Sequence, residues 1–125
     1  MTDLSPLIAV VDDDQRLLES LENLLESAGY RAITLSRPEL LFEPGRLQSV
    51  DCVITDISMP GIDGFELRDR VIAARPGLPV ILMSGRHEIA EQIRARTPPE
   101  PFFRKPFDGR ALLDTIERLI ASSRA

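Results

Sequence analysis

Short apolar runs separated by amphipathic segments recur along this chain, and this pattern constrains the fold more than any other feature. Leu7-Ile8-Ala9-Val10-Val11, Cys52-Val53-Ile54-Thr55 and Val80-Ile81-Leu82-Met83 do not alternate between polar and apolar residues. A strand without a polar face must be covered on both sides, which is the condition of a parallel sheet in an α/β protein.

The segments between the runs follow a different period. Leu17, Leu18, Leu21, Leu24, Leu25 and Ala28 recur at helical spacing, with Asp14 placed to cap the helix and Gly29 to stop it. Arg31 to Leu35 is a second strand, and a short helix around Pro38 to Phe42 precedes a loop with Pro44 and Gly45. Asp51 to Thr55 is the third strand. Pro60, Gly61 and Gly64 make a loop, after which Phe65, Leu67, Val71 and Ile72 supply a helix ending before Pro76-Gly77. The fourth strand runs from Pro79 to Met83, and a weaker helix spans about Glu88 to Ala95 until Thr97-Pro98-Pro99-Glu100-Pro101 breaks it. Phe102 to Arg104 is a short fifth strand, for which Pro101 suits an edge position. Asp108 can cap the last helix, with Leu112, Leu113, Ile116, Leu119 and Ile120 on its apolar face.

Five strands alternating with five helices, joined by right-handed crossovers, predict a doubly wound, flavodoxin-like α/β fold with strand order 2-1-3-4-5. That order brings the ends of strands one and three together at the switch point, where ligands of open parallel sheets bind. At 125 residues, the chain suits a single domain over 1–125 with one core.

Polar residues that carry chemistry collect at the strand ends. Asp12 and Asp13 follow the first strand, Asp56 the third, Ser84 the fourth and Lys105 the fifth. Lys105 is the only lysine among fifteen basic residues. Three carboxylates converging in a crevice repel one another, and such a cluster persists best with a cation to neutralise it. Magnesium, which prefers oxygen ligands and keeps waters and phosphate oxygens in its shell, suits a site with few protein carboxylates, with manganese as an alternative. An ionised Asp56 beside such a metal is a candidate nucleophile toward phosphorus. Lys105 could neutralise the arriving phosphoryl oxygens, and the Ser84 hydroxyl could donate a hydrogen bond to one of them.

Across these segments the chain resembles the receiver domain of two-component response regulators. The resemblance rests on Val10-Val11-Asp12-Asp13-Asp14, on the stretch from Asp51 through Asp56-Ile57-Ser58-Met59-Pro60-Gly61 to Leu67, on Val80 to Gly85 and on Lys105-Pro106-Phe107. It implies that Asp56 is the phosphoacceptor and that Asp13, Asp56 and the backbone carbonyl of Ser58 bind magnesium, with Asp12 acting through a metal-bound water. It also implies that Ser84 follows the phosphoryl group, that Phe102 holds the aromatic switch position, that Lys105 contacts the phosphoryl oxygens and that the bond to Pro106 is cis. The implied function is a phosphorylation-dependent bacterial signalling switch. A sensor histidine kinase or histidine phosphotransfer protein would supply the phosphoryl group, and the face of the fourth helix, fifth strand and fifth helix would meet an output protein. Phe102 departs from the tyrosine often found at its position, and three prolines between Thr97 and Pro101 replace the usual Gly-Ala turn.

Other readings compete residue by residue. Asp13 or Asp14 could merely cap the following helix, His87 could be a surface side chain, and Phe102, Phe103 and Phe107 could be core. Arg86, Arg94, Arg96, Arg104 and Arg110 make either a solvated face or a docking surface for an acidic protein. A haloacid-dehalogenase-like phosphatase would also use an aspartate and magnesium, but it needs a carboxylate two residues after the nucleophile, where this chain has Ser58. The chain is therefore expected to be a switch and not a turnover enzyme. A receiver-shaped module that is never phosphorylated would be expected to have lost a pocket residue.

The net charge of −5 argues against direct nucleic-acid binding, and residues 1–30 concentrate acid with Arg16 as their only basic residue. No apolar stretch approaches a membrane span, the start lacks a signal peptide's character, and the single cysteine, Cys52, permits no internal disulfide. A cytoplasmic protein, monomeric or weakly dimeric and without an output domain in this chain, is expected.

Overall fold

The computed structural model describes residues 5–86 and 101–123. Its strands are β1 (Leu7–Val11), β2 (Arg31–Leu35), β3 (Cys52–Asp56), β4 (Val80–Ser84) and β5 (Phe102–Arg104). All pair in parallel, in the order β2-β1-β3-β4-β5. The helices are α1 (Gln15–Ser27), a 3-10 turn over Pro38–Phe42, α2 (Arg46–Ser49), α3 (Gly64–Ala74) and α4 (Gly109–Ser123). The weaker helix expected at about 88–95 lies outside the described residues.

The unbroken apolar strands are explained by two cores, one on each face of the sheet. Ala9, Val11, Val53 and Leu82 point to the side covered by Leu41, Leu47, Leu67 and Val71 of the 3-10 turn, α2 and α3. Their alternating neighbours Ile8, Val10, Ile54 and Ile81 meet Leu18, Leu21 and Leu25 of α1 and Leu112, Ile116 and Ile120 of α4. Every residue of β3 and β4 is buried, whereas the edge strands β2 and β5 are only partly covered. Cys52 sits inside the α1–α4 core, where burial pushes its thiol up to about 12.

Local signals act as their chemistry requires. The Asp14 side chain accepts from the N–H groups of Arg16 and Leu17, and Gly29 takes a φ of 91° just after α1. Asp108 accepts from the Arg110 N–H at the start of α4. Two expectations shift by one residue. β3 and β4 run to Asp56 and Ser84 and not to Thr55 and Met83, because Asp56 still pairs with Met83 and Ser84 with Arg104. The polar residues Asp56 and Ser84 are thus the last paired residues of their strands. Ile72, counted on the apolar face of α3, is 48% exposed, since it lies about 100° around the helix from buried Val71.

Candidate phosphoacceptor site

The carboxyl ends of β1, β3 and β5 converge as the strand order requires. Asp12 is 1% exposed and Asp56 5%, while Asp13 stands in solvent. One oxygen from each of the three lies within 4.8 Å of the others. Lys105, the residue after β5, places its Nζ 2.9 Å from Asp12 Oδ2 and 3.3 Å from Asp56 Oδ1. One ammonium therefore serves two buried carboxylates at once.

The backbone fixes each participant. Asp12 Oδ1 accepts from the Asp14 N–H at 2.9 Å, leaving Oδ2 to Lys105, so both oxygens of Asp12 are engaged. The Lys105 N–H donates to the Ser84 carbonyl at 2.9 Å, which extends the β4–β5 ladder to the base of the lysine side chain. Ser84 is fully buried, and its Oγ accepts from the Arg86 N–H at 3.0 Å. The Ser58 Oγ is buried without a hydrogen-bond partner. The Lys105–Pro106 peptide is cis, and Phe102 is partly buried against the core on the α3 side.

Electrostatics at the two central groups follow from this arrangement. Burial raises the pKa of Asp56. The Lys105 charge lowers it, and Asp12 and Asp13 push it up again, leaving it above the ordinary carboxylate value. Lys105 loses hydration by burial, but its hydrogen bond and attraction to Asp12, then to Asp56, more than compensate and hold its pKa above the usual lysine value. The lysine thus stays charged, and Asp56 is the carboxylate made costly to ionise. An all-oxygen donor set of three carboxylates fits a hard divalent metal ion, which would relieve that cost.

Sequence reasoning missed the residue that holds the loop after Asp56 against α3. Gly64 opens α3, and its N–H donates to the Ile57 carbonyl at 2.9 Å. A Cβ built there would lie 2.6 Å from the Asp56 carbonyl oxygen and 2.7 Å from the Ile57 Cα, closer than a real side chain can approach. The glycine's φ is not positive, so close approach and not turn geometry demands it. Asp63, which caps α3 by accepting from the Glu66 N–H at 2.9 Å, is the available signal: an Asp-Gly pair before an apolar helical pattern.

Comparison with known proteins agrees with this geometry. The family model for the response regulator receiver domain matches residues 8–117. The transcriptional regulatory protein FixJ of Bradyrhizobium diazoefficiens is 32% identical over 114 residues, covering 90% of this chain and 56% of that protein. A response regulator receiver protein of Anaeromyxobacter sp. is 39% identical over 112 residues, covering 87% and 43%. The chain therefore spans about half the length of these relatives. Among solved structures, a response regulator receiver domain protein from Clostridium thermocellum superposes with a TM-score of 0.83 at 27% identity, covering 95% of this chain and 97% of that one. The response regulator StyR gives the same score at 34% identity, covering 96% and 61%. Sequence, topology and the acidic crevice at the switch point together place this chain in the response regulator receiver domain family.

Proposed function

We propose that this chain is a single receiver domain over 1–125 that works as a phosphorylation-dependent switch, with Asp56 as phosphoacceptor. The observation that carries this reading is the convergence of Asp12, Asp13 and Asp56 around one lysine ammonium. An oxygen of Asp56 attacks the phosphorus of a phosphohistidine on a sensor histidine kinase or histidine phosphotransfer protein. The P–O bond forms as the P–N bond breaks, and the imidazole leaves with the nitrogen's electron pair. Asp12, Asp13, Asp56 and the Ser58 carbonyl would hold Mg2+, or Mn2+ in its place. An ion held there would supply positive charge against the phosphoryl oxygens.

The chain's own groups do the rest. Lys105 pairs with the incoming phosphoryl oxygens in place of the Asp56 carboxylate, and the Ser84 hydroxyl, whose oxygen accepts from the Arg86 N–H, donates its proton to a phosphoryl oxygen. Phe102, at the start of β5, answers by repacking. The signal leaves through the face that includes β5 and α4, toward an output protein. Ser58 supplies no carboxylate to activate water, so the acyl phosphate persists as a signal and the protein does not turn over substrate as an enzyme. A cytoplasmic setting and a monomer or weak dimer accompany this reading.

Incubation with acetyl phosphate and Mg2+ is expected to add one phosphate to the intact protein, as read by mass, with no addition in Asp56→Asn or with chelator present. Equal labelling of Asp56→Asn would refute the assignment.

A further inference from the structure

Beside the acidic crevice lies a cavity of about 460 Å³, and its wall includes Asp13. Its other sides come from two segments: Ser36 to Glu39, which runs from the end of β2 into the 3-10 turn, and Met59 to Gly61, after Asp56. Buried Pro38 and Met59, with Pro60, give it an apolar interior. The rim is charged unevenly, with exposed Asp13 and Glu39 set against Arg37 alone.

We infer that this cavity seats an apolar side chain, flanked by a lysine or arginine, from the protein that donates the phosphoryl group to Asp56. The inference rests on the phosphoacceptor reading above. Two observations select this occupant. The cavity shares Asp13 with the carboxylate cluster, so whatever fills it lies against the surface that must cover Asp56 during transfer. Its acidic rim favours a basic flank and disfavours the acidic N-terminal surface of a second copy of this chain. The walls are also fixed in advance. Pro38 and Pro60 restrain both segments, and Gly61, at φ 82°, lets the Glu39 carboxylate stand 3.2 Å from where a Cβ would be. A rigid apolar pocket beside a charged rim takes an anchor side chain at small ordering cost.

The test compares donors that need the cavity with donors that do not. The protein donor is the autophosphorylated core of whichever purified histidine kinase transfers fastest to the wild type. The small donor is acetyl phosphate. Ser36→Trp, which fills the cavity, and Glu39→Lys, which reverses its rim, lie outside the acidic cluster. Both are expected to label normally with acetyl phosphate, while kcat/KM for transfer from the kinase falls about tenfold or more for Ser36→Trp, the size of a lost anchor. Glu39→Lys should lose less, and its loss should shrink as salt is raised. Wild-type transfer from the kinase to Ser36→Trp would overturn the inference. So would a wild-type dimer at high concentration that Ser36→Trp abolishes, since the cavity would then belong to a second copy. Failure of acetyl phosphate to label even the wild type would instead strike the phosphoacceptor reading.

Discussion

The two edges of the sheet both carry charge inside the fold, and they treat it in opposite ways. At the amino edge, Asp51 Oδ2 accepts from the Leu7 N–H at 2.8 Å while the Asp51 N–H donates to the Leu7 carbonyl, locking β1 to the start of β3. Arg75, just past α3, donates from one Nη1 to the carbonyls of both Leu47 and Val50. Charge there is spent on the main chain. At the carboxyl edge, Asp12, Asp56 and Lys105 face one another, and Asp56 is left with a raised pKa. A charge bound to backbone holds a fold together, whereas charges that satisfy each other incompletely leave an unfilled demand that an incoming group can meet.

The largest expected effect probes a place where the carboxyl edge depends on close backbone packing. Gly64→Ala forces a methyl group into the Asp56 carbonyl, and it is expected to cost about 3 kcal/mol or more in chemical denaturation, the scale of severe overpacking. A stability loss within 0.5 kcal/mol of zero, in the range of an ordinary surface change, would mean that the loop after Asp56 can retreat from α3. Next comes Arg75→Met, which leaves two carbonyls without their donor. About 2 kcal/mol is expected to be lost, with acetyl phosphate labelling unchanged. A labelling defect in a folded variant would break the separation between the two edges.

The smallest effect has the opposite sign. Asp56 has a higher pKa folded than unfolded, so the native state holds the extra proton between the two values. Stability therefore falls as pH rises through that window, and the ionised carboxylate burdens the fold at neutral pH. Asp56→Asn is expected to raise the melting temperature by a few degrees at pH 7 in metal-free buffer. Below about pH 3, where wild-type Asp56 is protonated in both states, the gain should vanish. A variant less stable than wild type at pH 7 would show that the Lys105 contact outweighs burial and repulsion.

How much of this could be read beforehand depends on the range of the interaction. The sheet order and its two covered faces were legible because Leu7 to Val11, Cys52 to Thr55 and Val80 to Met83 carry no polar face, a property that survives any local error. The convergence of Asp12, Asp13, Asp56 and Lys105 followed from topology alone. The shared hold of Lys105 on two carboxylates did not, because rotamers decide it. Arg46–Ser49 forms a helix of one turn, too short to show periodicity, and was hidden inside a loop. Gly64 carried the wrong meaning: glycine beside Pro60 and Gly61 reads as loop, while the approach of α3 to the Asp56 carbonyl is long-range and leaves no local trace.

The buried thiol of Cys52 has a practical corollary. Burial raises its pKa far above neutral, and thiolate is the form that reacts with peroxide, disulfides and alkylating agents. Burial therefore shields the only cysteine of this chain from thiol-directed reagents while the domain is folded. It also leaves the surface silent to maleimide dyes, so a cysteine introduced at exposed Ser36 would take a fluorophore alone and could report on whatever arrives beside Asp13.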